Sequence, residues 1–319
     1  MQKSGIDIEY AADCIQKGGL VAFPTETVYG LGANALNPLA VAQIFEAKER
    51  PSFDPLIVHI SDIQQLNGLY KLPVNKMVFA LAEKFWPGPL TIVHQKNNNI
   101  SGIVTADLNT VAVRMPAHPV ALALLNACAC PLAAPSANKF GLLSPTRYEH
   151  VAKQDMDIDY ILKGDVGILG IESTVVLVEN EDCIILRPGI ITWEEIKKII
   201  PQVKLSVNSM NKNLPSPGLL KSHYSPKKPL YFLNSDQHLF SNKTGLILHS
   251  KSLNEVVAGK IIYTSTSRNL VEVAANIFTA LHEMEDDNQI EEILIEKVDE
   301  NGIGIAIMDR LEKACYQYL

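Results

Sequence analysis

Over residues 201–229 the chain loses all hydrophobic periodicity: PQVKLSVNSMNKNLPSPGLLKSHYSPKKP carries Pro215, Pro217, Pro226 and Pro229 within a run of Asn, Ser and Gly. Unstructured connections longer than about 12–15 residues are uncommon inside a compact domain. The segment therefore joins two domains or works as a lid. At 319 residues, and with domains of about 100–200 residues, each side is long enough for a core of its own. The expected division is 1–200, a linker or lid at 201–229, and 230–319. A composition of 47% hydrophobic and 20% charged residues suits globular cores and excludes a disordered or fibrous chain.

Before the linker, short apolar runs alternate with helical spacing. Residues 19–23, 55–60, 90–94, 111–115, 161–162, 174–178 and 184–186 read as strands. Asn37-Pro38 caps a helix over 38–48, residues 73–86 and 118–127 show apolar spacings of three and four, and Thr192-Trp-Glu-Glu195 is a capping box opening a helix to about residue 200. The strand density beyond residue 111 predicts some antiparallel pairs, hence a mixed α/β first domain. After the linker, strands at 230–233, 245–249, 260–264 and 292–296 and helices at 268–285 and 305–317 predict a small parallel sheet. No G-x-G-x-x-G follows a strand and no GxxxxGK[ST] loop occurs.

The most apolar stretch, 120–135, is broken by Asn126 and Pro131, so no membrane span is expected. MQKSGIDIEY lacks an apolar signal core, and a cytoplasmic location follows. The five cysteines include one close pair, Cys128 and Cys130, and no CxxC, which reads as reduced thiols. His59, His94, His118 and His150 are too scattered for a structural zinc site. The net charge is −7, with 19 basic and 21 acidic residues up to Pro226 and 9 and 14 after it. A tight grip on a nucleic-acid backbone requires a basic field that this balance does not suggest.

Four segments look more specific than core. Phe23-Pro-Thr-Glu-Thr-Val-Tyr-Gly-Leu-Gly32 ends a strand in hydroxyls and glycines, and Thr25 and Thr27, two apart, should face the same way. Lys48-Glu-Arg50 closes a helix, where two cations are ordinarily solvated but could also clamp phosphates. His59 ends an apolar strand and by default is a buried neutral imidazole. Arg114, in Thr110-Val-Ala-Val-Arg-Met-Pro116, is too costly to bury unpaired and should meet a carboxylate of the protein or of a substrate. Pro131-Leu-Ala-Ala-Pro-Ser-Ala-Asn138 lacks the nucleophile elbow of a serine hydrolase. Gly170-Ile-Glu-Ser-Thr-Val-Val176 and Arg187-Pro-Gly189 complete the set.

Together GGLVAFPTETVYGLGANA, KERPSFDPLIVHI, WPGPLTIV, TVAVRMPAHP, PLAAPSAN, GIESTVV and ILRPG occur in the order and spacing of the YrdC-like threonylcarbamoyl-AMP synthases. The resemblance covers about residues 5–200. Ser216-Pro-Gly218 and His223-Tyr-Ser-Pro226 resemble the linker signature of the longer form, which ends in a small Rossmann-like domain. The segment Gly218-Leu-Leu-Lys-Ser-His-Tyr departs from that form, which usually carries an aromatic or second basic residue before the His-Tyr pair.

The resemblance implies an α/β fold with a twisted open mixed sheet and a C-terminal parallel sheet. The implied reaction converts L-threonine, bicarbonate and ATP to L-threonylcarbamoyladenylate and pyrophosphate, with Mg2+ on the nucleotide and no organic cofactor. The product would feed threonylcarbamoyl transferase machinery that forms N6-threonylcarbamoyladenosine in tRNA, so tRNA is an indirect partner. By motif position the threonine pocket is Thr25, His59, Arg114, Ala134 and Ser173. The ATP side is Lys48, Arg50, Ser52, Thr110, Ser136, Asn138, Ser144, Arg187 and, from the linker, Tyr224. Lys48 and Arg50 are expected to stabilise charge from partly exposed positions, at little cost to stability if truncated. Residues 215–226 are expected to close over the nucleotide. YrdC-like modules of hydrogenase-maturation proteins accompany acylphosphatase and zinc-finger regions not seen here, and a non-catalytic RNA-binding role conflicts with the acidic balance.

Overall fold

The computed structural model describes residues 3–165, 169–206, 220, 222–233, 240–251 and 257–318. Eleven strands of the first half form one mixed sheet: β1 (Ser4–Gly5), β2 (Val21–Phe23), β3 (Gly30–Asn34), β4 (Ile57–His59), β5 (Leu90–Gln95), β6 (Thr110–Arg114), β7 (Leu132–Ala133), β8 (Tyr160–Leu162), β9 (Thr174–Glu179), β10 (Asp182–Arg187) and β11 (Lys204–Leu205). Their order is β1-β8-β2-β3-β7-β4-β6-β5-β9-β10-β11. β4 runs parallel to β6 and β5 parallel to β9, whereas β5 is antiparallel to β6 and β10 to β9. A second sheet joins β12 (Leu230–Phe232), β13 (Thr244–Leu248), β14 (Lys260–Tyr263) and β15 (Glu292–Ile295) in the order β12-β15-β13-β14, every pair parallel.

Local chemistry sets the helix ends. Asn37 accepts hydrogen bonds from the amides of Leu39 and Ala40, Pro38 fills the first turn, and the helix Pro38–Lys48 stops where Glu49 turns left-handed. The capping box at Thr192 and Glu195 is formed, although its helix covers only Trp193–Lys197. The short strands β1, β3, β7 and β11 and the helices Ile8–Gln16, Leu66–Leu69, Gly102–Thr105 and Tyr148–Ala152 add to the elements expected from the pattern. The glycines that end the Phe23–Gly32 segment pair as β3: the Phe23 ring lies against Gly32, where a Cβ would come within 2.8 Å of it, so this strand position must be glycine. β7 is two residues long and shows no period. The helix Ile8–Gln16 was overlooked, although Asp7 caps it and Ala11, Ala12 and Ile15 recur at helical spacing.

One face of the large sheet, with Val58, Ile92, Val113, Val176 and Ile185, packs into the main core. The second core joins Ile277, Phe278, Ile307 and Leu311 of the C-terminal half to Val28, Leu143, Ile171 and Tyr224. The first half thus buries a core of its own, whereas side chains from the first half and from the linker complete the second one. Within 201–229, Lys204–Leu205 extends the large sheet as β11. The Ser225 amide donates to Gly141 O at 2.9 Å and its hydroxyl to Ala314 O at 3.0 Å, which pins this stretch between the halves. Ser216-Pro-Gly218 lies outside the described residues.

Candidate active site

Side chains alternate between the two faces of a sheet, and registry then decides which residues face away from the main core. Ile57 pairs with Ala112 and His59 with Arg114, Ala112 with Val93, and Thr91 with Val175. Arg187 joins this face through a bulge: Ile185 opposes Val176 but Arg187 opposes Val175, two residues of β10 against one of β9. Without it, simple alternation would send Arg187 to the same side as the core residue Ile185. Over this face lies a half-open cleft, walled by the Thr25–Gly30 turn, Arg50, His59, Arg114, the Ala134–Ser136 segment, Glu172, Ser173, Arg187, His223 and Tyr224.

The Thr25 hydroxyl donates to Val28 O (2.7 Å), accepts from the Thr27 and Val28 amides, and shares a hydrogen bond with the Thr27 hydroxyl at 2.8 Å, so the anticipated pairing of the two hydroxyls is present. Arg114 is buried and takes the protein carboxylate left open by the sequence. Its guanidinium donates to Glu26 Oε1 (2.5 Å), Gly88 O (3.2 Å) and the Thr27 hydroxyl (3.1 Å). Burial opposes ionisation of Glu26, but Arg114 prevails and holds its carboxyl below the usual range. His59 is buried with Nδ1 unbonded, and burial followed by the Arg114 charge pulls it down to about 3, leaving a neutral imidazole. Ser173 shares a hydrogen bond with Thr91 (2.8 Å) and accepts from Arg187 (3.1 Å).

Lys48 departs from expectation. It is only 1% exposed and stands behind the cleft wall, where Nζ donates to Ser136 O at 2.6 Å and to Asn138 O. The reason is the preceding helix, whose last residue points into the loop that follows β7. Burial, then the Arg50 charge, pull its ammonium well below the ordinary lysine range. Arg50 does reach the cleft, yet it too is buried, donating to Asp54 O (3.1 Å) and Pro55 O (3.0 Å) with Asp54 Oδ2 at 2.9 Å. Neither cation is partly exposed, so truncating either disturbs the fold as well as the site. Burial raises the Asp54 carboxyl against the pull of Arg50 and Lys48.

Asn138 is buried, donating to Lys139 O and Leu142 O, with Oδ1 unbonded. Ser144 lies outside the cleft wall and donates to Glu172 at 2.5 Å. Ser52 is exposed beyond the wall. Thr110 shares the face of Arg114 but begins β6 four residues earlier, roughly 13 Å away at about 3.3 Å per residue. Ser52, Thr110 and Ser144 are therefore not gathered into the cleft. Tyr224, with left-handed φ of 63° and its hydroxyl unbonded, is gathered from the linker, together with His223. Two residues stand beyond those expected: Glu172 on the cleft wall, although it sits in the quoted GIESTVV, and Arg310 behind it, whose guanidinium donates to Glu172 at 2.9 Å. Burial would raise Glu172, but Arg310 and Arg187 hold it at about 2. The charged residues buried in the described chain are Lys48, Arg50, Arg114, Arg187 and Arg310 against Glu26, Asp54 and Glu172. Of these, Arg50, Arg114 and Arg187 line the cleft against one carboxylate, Glu172, so a chain of net charge −7 presents a cationic wall there.

Comparison with known proteins gives two matching family models: "Telomere recombination", the Sua5/YciO/YrdC type, over residues 13–189, and "Threonylcarbamoyl-AMP synthase, C-terminal domain" over 191–315. The chain is 40% identical to the threonylcarbamoyl-AMP synthase of Pyrococcus abyssi, across 96% of this chain and 93% of that protein. It is 41% identical to the enzyme of the same name from Bacillus subtilis, across 96% and 92%. The crystal structure of P. abyssi Sua5 complexed with L-threonine superposes with a TM-score of 0.89 at 37% identity, covering 99% of this chain and 98% of that one.

Proposed function

The chain belongs to the threonylcarbamoyl-AMP synthase family, and on that premise we propose that its cleft makes L-threonylcarbamoyladenylate from L-threonine, bicarbonate and ATP. The threonine amine adds to the bicarbonate carbon and water leaves, giving the carbamate. A carbamate oxygen then attacks the α-phosphorus of ATP, the bond to the bridging oxygen breaks, and pyrophosphate departs. The substrate carries its own nucleophile, so the protein's work is to position and to stabilise charge. The observation that carries the reading is the set of three guanidinium groups, Arg50, Arg114 and Arg187, that wall one cleft against a single carboxylate, which suits a polyanion such as a triphosphate.

Arg114 receives the threonine carboxylate. Its guanidinium spends three donated bonds on the protein, and a guanidinium has five N–H groups. His59, neutral and unbonded at Nδ1, meets a polar group of the amino acid beside Thr25, Ala134 and Ser173. Arg50 and Arg187 face the phosphates, with Ser136 and Tyr224 on the same wall. Lys48 serves by holding the Ser136–Asn138 loop. Mg2+ enters with ATP and needs one or two hard protein oxygens besides phosphates and water. The unbonded Asn138 Oδ1 and the Ser136 hydroxyl are of that kind, and the ion neutralises phosphate charge when bound. No organic cofactor is required. The adenylate passes to a threonylcarbamoyl transferase acting on tRNA. The reaction is assigned to the cytoplasm; among the described residues no helix is long and apolar enough to cross a membrane.

The test is pyrophosphate release from MgATP with threonine and bicarbonate added and omitted separately. Release requiring both is expected. Release indifferent to threonine sinks the assignment.

A further inference from the structure

The helix Ile303–Cys315 of the C-terminal half sends one charged side chain towards the cleft wall. Arg310 is 1% exposed. Its Nε donates to Glu172 Oε2 at 2.9 Å, Nη2 to Pro188 O at 3.0 Å and Nη1 to Asp309 Oδ2 at 2.5 Å, while the guanidinium carbon stands 5.5 Å from the centre of the Tyr224 ring. One planar group thus touches three parts of the wall: the loop before β9 that carries Ser173, the turn after β10 that follows Arg187, and the linker tyrosine. The other carboxylate oxygen of Glu172 accepts the Ser144 hydroxyl, and Ser144 O in turn lies 3.1 Å from His282 Nε2 on the helix Leu270–Asp286. That helix backs the same loop so closely that a Cβ at Gly170 would stand 2.3 Å from Ala274 O.

We propose that Arg310 is a positioning residue for adenylate formation: through Glu172, Pro188 and Tyr224 it fixes the places of Ser173, Arg187 and the linker, which makes the C-terminal half part of the active site. The proposal rests on the function given above. A fork with donors on three nitrogens spans partners that a single ammonium cannot span together. Lysine at this position therefore keeps the charge beside Glu172 and loses the alignment.

The experiment compares the full-length chain with Arg310→Lys, Glu172→Gln, the double variant and Lys153→Met. Lys153→Met removes a different contact between the halves, the exposed pair with Asp286 at 2.8 Å. Each is followed by thermal unfolding and by kcat and KM for ATP and threonine in pyrophosphate release. Arg310→Lys is expected to lower kcat by about 100-fold, the scale of a misplacement near 1 Å, while melting within a few degrees of Lys153→Met, which keeps its full kcat. The double variant is expected to lose no more than the worse single one, since both act on one contact.

A kcat for Arg310→Lys within about threefold of the parent overturns the proposal. So does a loss that disappears when the assay is cooled below the variant's melting range, because that is a purely structural pair. Should the parent chain itself release no pyrophosphate, the proposed function fails and the positioning role falls with it. That result differs from an active parent with an indifferent Arg310→Lys.

Discussion

Replacing Lys48 by alanine separates two pictures of this side chain, an exposed cation facing phosphate and a buried strut behind the wall. In the structure Nζ donates to Ser136 O and Asn138 O, and the side chain is 1% exposed. Alanine leaves two carbonyls without a donor in a protein interior, at about 1–3 kcal/mol each. It also removes the packing of the aliphatic stem, while relief from burying an amine works the other way, so a net loss of about 2–5 kcal/mol is expected. At about 2–4 °C per kcal/mol for a chain approaching this size, the melting temperature should fall by roughly 5–15 °C. Lys48→Met keeps the stem and isolates the polar share. The assay is thermal unfolding beside pyrophosphate release measured well below the transition. A drop under about 2 °C with activity abolished would refute the strut, because a side chain can be lost so cheaply only if it is solvated.

Two further outcomes follow from the buried charges. Acid should weaken the protein before its carboxylates titrate. His59, His150, His223 and His282 are pulled by burial to about 3, 4, 3 and 2 from an ordinary 6.5. Each depressed group contributes stability that is complete above pH 6.5 and is lost as pH falls towards its folded value, at most about 1.4 kcal/mol per pH unit per histidine. Glu172, held at about 2 from 4.5, adds a second loss below pH 4.5. Melting followed from pH 7 to pH 4 should therefore decline from about 6.5 downward, and a flat profile to pH 5 would contradict the buried neutral imidazoles. Arg114→Met strands the Glu26 carboxylate, a loss of about 3–5 kcal/mol for a broken buried pair. Arg114→Met/Glu26→Gln should recover most of that stability while the KM for threonine stays raised. Recovery of both would remove Arg114 from the substrate.

Much of this was legible in the sequence because it is local. The cap at Asn37, the box at Thr192 and Glu195 and the paired hydroxyls of Thr25 and Thr27 all depend on residues a few positions apart, and the parallel sense of the last four strands follows from the local strand and helix patterns. The motifs also pointed to the segments that wall the cleft. Arg114 illustrates the boundary. Its burial at a strand end demanded a carboxylate, but that Glu26, 88 residues away, supplies it is a fact of chain folding. Arg310 left one trace, a charge on the stripe of Ala306, Ile307, Leu311 and Ala314, and nothing local names its partner.

Only the tertiary structure decided which way the site's cations point. Lys48 and Arg50 are two residues apart, yet one turns behind the wall to hold two carbonyls and the other reaches the cleft, because the loop after β7 packs against the end of their helix. Arg187 faces the cleft through a bulge that the alternation of apolar residues cannot announce. The sequence by itself determined the periodic elements and the chemistry at hand. The directions of Lys48, Arg114 and Arg310, and the core completed by both halves, came from contacts far along the chain, 88 positions for Arg114 with Glu26 and 138 for Glu172 with Arg310.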